Sequence, residues 1–169
     1  LVVAVLSILS NGAANGTGYL EAKQIVSCAG LENCDADFGL MYPFYKILAT
    51  AATYLTTIPG GLFAPSLASG AGLGANLALL FPVEMASTIV ILGMIGYFTG
   101  VVQTPITAFV IVMEMTDNHE LVLAMMATAL ISSAVSKLVC KKSIYEALAE
   151  NLLAMMSDEK SRKKSVASN

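Results

Sequence analysis

The chain has 169 residues, 56% of them apolar and 12% charged, with a mean hydropathy of +0.73 and a formal net charge of −3. Soluble domains carry about 25% charged residues, so this composition excludes an ordinary soluble fold and indicates an integral membrane protein. With no basic stripe, it also excludes a nucleic-acid partner.

In chain order, Leu1–Leu9 (LVVAVLSIL) is an apolar run with no basic stretch before it. It reads as the end of a longer helix, not as a signal peptide, and the chain is expected to be a fragment. Asn11–Gly18 (NGAANGTG) is a turn, and Tyr19–Cys28 a short helix. Ala29–Asp37 is a loop with Glu32, Asp35 and Asp37. Cys28 and Cys34 flank five residues with no histidine nearby, which is not a zinc pattern. Both are expected to be free thiols, with a Cys28–Cys34 bridge as the alternative.

Gly39–Ile58 is apolar apart from Lys46 and is about long enough to cross a bilayer core. It is followed by IPGGLFAPSLASGAGLG (58–74), in which proline and paired glycine interrupt the helical pattern. A small-residue helix then resumes over roughly Pro65–Leu80. Phe81–Met85 is a turn, Ala86–Val102 an apolar helix, and Thr104-Pro105 opens another that ends at Glu114–Asp117. Asn118–Glu120 is a polar turn, Leu121–Val139 a nearly uncharged helix, and Lys141–Ser143 a basic turn. Ile144–Met156 is a last helix, and Ser157–Asn169 a charged tail expected to be disordered and cytoplasmic. Residues 1–156 thus form the membrane domain. Seven of the nine Lys and Arg lie between Lys137 and Lys164, which places the C-terminus in the cytoplasm. The Gly70/Gly74 and Gly96/Gly100 spacings allow close helix packing.

The break at 59–64 has a physical use. Non-helical backbone at membrane depth must be buried in protein or line a cavity. The helix that follows begins near Phe63 or Ala64 and leaves its first amides without carbonyl partners. Those amides and the helix dipole make an anion site with no lysine or arginine. Gly60 and Gly61 permit the turn, Leu62, Phe63 and Ala64 offer N–H groups, and Pro65 fits the first helical turn. Neutral donors suit conduction, which needs binding weak enough to release the ion. A plain Pro-Gly loop between two spans stays open on these grounds alone.

Residues 60–65, GGLFAP, resemble the GxFxP motif of the CLC family of chloride channels and chloride/proton exchangers. NGTGY (15–19), the run GYFTGVVQTPITAFVIVMEMTDNHELVLAMM (96–126) and SIYEALAENLL (143–153) resemble further family segments, in the family's order. The resemblance implies an all-α polytopic bundle of broken and tilted helices. The chain would supply most of the second inverted repeat and the closing helix. It also implies chloride binding at Gly60, Gly61, Leu62, Phe63, Ala64 and Pro65, with the Tyr145 hydroxyl donating to the same ion. A homodimer, built partly on the helices from Pro105 and Leu121, is implied as well. The family's GSGIP-type serine and GREGP-type glutamate do not occur here. About half of one site is expected, completed by an N-terminal half, and channel and exchanger both stay open.

Chloride, with protons in an exchanger, is then cargo. No cofactor, metal or covalent chemistry is implied, and the nine methionines read as core fillers. Glu114 is expected to be structural and His119 a solvated loop residue. Lys46 is expected either to pair with Glu114 or to snorkel along its stem. The alternatives are another broken-helix secondary transporter and a non-transporting membrane interaction fragment.

Overall fold

The computed structural model describes residues 2–10, 12, 15–29, 40–55, 61–150, 153 and 156. Among these, every regular element is helical, as expected: α1 (Val2–Leu9), α2 (Tyr19–Cys28), α3 (Tyr42–Leu55), α4 (Phe63–Ala78), a 3₁₀ turn (Val83–Met85), α5 (Ala86–Val102), α6 (Pro105–Thr116) and α7 (Val122–Val139). A further helical stretch covers 144–150. Gly60, Pro59, Cys34 and the 157–169 tail lie outside the described residues.

The helix ends follow local chemistry. Gln103 stops α5 in a left-handed conformation (φ 59°), its N–H donating to the Thr99 carbonyl at 2.7 Å. Pro105 opens α6 where no N–H is required, and Asp117 ends it, again left-handed (φ 49°). Pro65 lies inside α4 instead of starting it, because a first-turn proline removes only an amide that has no partner anyway. One expectation is corrected: Cys28 is disulfide-bonded, while Cys140 keeps a free, exposed thiol.

Glycine sets the packing. A Cβ placed on Gly70 would lie 2.8 Å from Met94 Cα, and one on Gly74 2.8 Å from Val90 Cα. One on Gly93 would lie 2.6 Å from Gly74 Cα. The two contact series run in opposite directions, so α4 and α5 are antiparallel with their backbones touching. Between α5 and α7 the series run in the same direction. Ser132 Oγ donates to the Gly96 carbonyl (2.6 Å) and Ser136 Oγ to the Gly100 carbonyl (2.5 Å), so these two helices are parallel with α6 returning between them. The core between α2, α4, α5, α6 and α7 holds Leu67, Ala68, Ala71, Val90, Met94, Ile95, Phe98 and Met125. Among the described residues, two stretches, Val83–Val102 and Val122–Val139, are long and apolar enough to cross a membrane.

Gly93→Ala forces a methyl into backbone and is expected to cost about 1–3 kcal/mol. Gly96→Ala meets nothing nearer than 3.7 Å and should be nearly neutral. Thermal melting of the protein in detergent checks the contrast.

Candidate functional site

The start of α4 is bare. Its N-cap residue, Leu62, has no side-chain acceptor and makes no cap hydrogen bond. The first helical bond runs from Ser66 N–H to the Leu62 carbonyl at 3.1 Å. The amides ahead of it, on Leu62, Phe63 and Ala64, are those a helix leaves without intrahelical carbonyls, and Pro65 has no N–H to leave. Each carries part of the positive end of the helix dipole.

The neighbouring helices place these residues differently. Leu62 is buried, and the Phe63 ring meets Phe98 edge to face at 5.0 Å. Gly61 and Pro65 line a cavity of about 260 Å³ shared with Asn15, Gly16, Thr17, Lys46, Thr53 and Tyr54. Ala64 lines a second cavity, of about 270 Å³, with Tyr19, Lys23, Met94 and Thr116. The motif thus separates two cavities. Tyr145 is half exposed, and Tyr54 lines the first cavity.

The level of the site differs from a mid-helix position. Because Gly70 meets Met94 and Gly74 meets Val90 in antiparallel order, Phe63 falls beside the last turn of α5. The C-terminal end of α7 is tied to the same level. Gln103 Nε2 donates to Ser136 Oγ (3.1 Å) and to the Cys140 carbonyl (2.8 Å). Beyond it, Lys142 Nζ donates to both Glu150 carboxylate oxygens at 2.6 and 2.7 Å. That hydrogen bond holds the exposed Lys142 ammonium above its ordinary range.

Lys46 corrects both of its expectations. Glu114 is exposed on α6, and Lys46 does not pair with it. Nor does Lys46 snorkel, being 1% exposed. Its Nζ donates to the carbonyls of Asn15 (3.0 Å) and Gly16 (3.1 Å), in the NGTGY turn. That tie links residues about thirty positions apart and no spacing rule signals it; its one trace in the sequence is a lone cation in an apolar helix. His119 is exposed, 3.5 Å from an exposed Asp117, as a solvated loop residue should be. Thr99 Oγ1, fully buried, has no hydrogen-bond partner among the described residues, and nothing in its neighbours' residue types signalled that.

A helical membrane fold with an uncapped, part-buried helix start defines the class, and comparison with known proteins supplies the family. Residues 1–137 match the model of the voltage gated chloride channel family, and the chain belongs to it. It is 33% identical over 156 residues to an H(+)/Cl(-) exchange transporter ClcA of Yersinia pestis bv. Antiqua (strain Angola), covering 88% of this chain and 32% of that protein. It is 30% identical over 165 residues to the ClcA transporter of Salmonella paratyphi A (strain ATCC 9150 / SARB42), covering 94% and 34%. The chain spans about a third of the length of these curated relatives.

The turn that Lys46 holds is sterically exact at one glycine only. A Cβ on Gly18 (φ +78°) would lie 2.5 Å from Ala68 Cβ and 2.7 Å from Lys46 Cε, whereas one on Gly16 (φ +66°) meets nothing within 4 Å. Gly16→Ala should cost about 1 kcal/mol from its left-handed backbone alone. Gly18→Ala should cost about 2–4 kcal/mol, adding overpacking to that strain. Equilibrium or thermal unfolding of the two variants in detergent checks the order.

Proposed function

We propose that the chain forms part of the chloride pathway of a chloride transport protein, with an anion held at the start of α4. The observation that carries this reading is the bare set of amides at Leu62, Phe63 and Ala64, with Gly61 and Pro65 on a cavity. Oriented backbone N–H groups and a helix dipole favour an anion without fixing it as a full charge would. Gly60, next in the motif, is counted with the site in this reading. Tyr145 contributes a neutral O–H donor in this reading.

The relatives named as H(+)/Cl(-) exchange transporters favour coupled exchange of chloride and protons by the whole protein. An N-terminal half of the same parent completes the site. Residues 1–156 are the C-terminal part of its membrane domain. The lysines at 137, 141 and 142 favour a cytoplasmic end for α7. Exposed Ile106 on α6 and Leu123, Leu130 and Leu138 on α7 suit burial against a second copy. The protein acts as a transporter, with chloride as cargo and no cofactor.

Liposomes containing the intact parent, with chloride and pH electrodes in one vessel, test the reading. Chloride efflux is expected, with protons moving the opposite way. Tyr145→Ala should slow it several-fold or relax its anion selectivity. Well-folded protein that releases no chloride would overturn the proposal.

A further inference from the structure

Gln103 ends α5 in a left-handed conformation (φ 59°), which a residue with a Cβ adopts only at a conformational cost. Glycine would remove that cost, yet the chain places a long amide side chain here. Strain of this kind persists where the surroundings over-determine it. The Gln103 Nε2 donates to Ser136 Oγ (3.1 Å) and to the Cys140 carbonyl (2.8 Å), both at the end of α7. An ending helix leaves such a carbonyl without an intrahelical donor. Ser136 Oγ in turn donates to the Gly100 carbonyl, which returns the tie to α5. The chain beyond Cys140 is short and fixed at each step. Ser143 caps the helical stretch 144–150: Glu146 N–H donates to its Oγ (3.3 Å) and Ala147 N–H to its carbonyl (3.1 Å). Lys142 Nζ reaches forward to the Glu150 carboxylate and closes the turn against that stretch. Tyr145 lies in its first turn. The α5 end that bears Gln103 also bears Phe98, which packs on Phe63 at the start of α4. Gln103 therefore stands between the α4 amides and the stretch that carries Tyr145.

We propose that Gln103 is a positioning residue for Tyr145. Its amide latches the end of α7 and so sets where the Tyr145 hydroxyl stands relative to the α4 amides. The inference rests on the anion reading above and adds to it the residue that registers one part of the site against the other. Gln103 acts through Tyr145 and does not touch the ion. The latch needs a donor at the reach of a glutamine: an apolar side chain has none, and asparagine is one methylene shorter. A hydrogen bond weakens steeply as its geometry departs from linear. A displaced hydroxyl then no longer replaces the hydration of chloride, and a neutral hydrogen bond is worth about twofold to tenfold in binding. Nitrate, more weakly hydrated, loses less from the same displacement. Selectivity is therefore the property that the latch controls.

Chloride and nitrate efflux from liposomes carrying the whole protein is the test, with Gln103→Gly, Tyr145→Ala and the double variant. Gln103→Gly removes the latch but relieves the left-handed strain, so it should melt close to wild type. Its chloride-over-nitrate selectivity should fall about threefold. The double variant should be no less selective than Tyr145→Ala alone, because the two residues act through one hydroxyl. Gln103→Met keeps the length of the side chain without the donor and decides by the same comparison should Gln103→Gly fail to fold. Wild-type selectivity in the deciding variant, a loss that adds to that of Tyr145→Ala, or failure of both variants to fold overturns the positioning role and leaves the anion reading standing. Wild-type protein that passes no chloride removes both.

Discussion

The contact between α4 and α5 is made by backbone, not by side chains, and the site's placement follows from it. Gly70, Gly74 and Gly93 remove every atom that would hold the two helices apart. Dispersion between densely packed backbones then replaces side-chain interdigitation, the usual means of helix association where lipid offers no hydrophobic drive. With α4 fixed against α5 in antiparallel order, its first residue has one available position, beside the last turn of α5. The bare amides cannot slide along the membrane normal without separating that seam.

Polar groups complete the frame where apolar packing cannot. Ser132 and Ser136 donate to backbone carbonyls of α5, and Gln103 reaches the end of α7. In a region with little water such bonds have few competitors, and leaving either partner unpaired costs about 1–3 kcal/mol. They hold the C-terminal ends of α5 and α7 at the level of the α4 start. The stretch carrying Tyr145 emerges from that end. The fold thus gathers several helix ends around one region and leaves donors there.

Much of this was legible in the chain. Gly61 and Pro65 marked the start of α4, and each described helix from α2 onward lies close to its expected span because apolar runs and turn residues are local signals. The beginning of α4 at Phe63 followed from proline's tolerance of a first turn. The expected free thiol at Cys28 failed because a disulfide depends on three-dimensional approach, which residue spacing does not encode. Lys46 was noticed as an anomaly, yet its partners were misjudged. Charge complementarity pointed to Glu114, while two of its acceptors are neutral carbonyls on a distant turn.

By itself, the sequence determined the membrane class, the helical elements and the run of residues with bare amides, since hydropathy, helix breakers and the lack of a proline N–H are properties of the local chain. The tertiary structure decided which cavity each motif residue faces, that α5 and α7 run parallel, and that a buried ammonium meets the NGTGY turn. Those depend on contacts between segments some thirty residues apart. Whether such segments meet is set by the fit of whole helix faces and by the absence of Cβ atoms at three glycines, which no single stretch of sequence specifies.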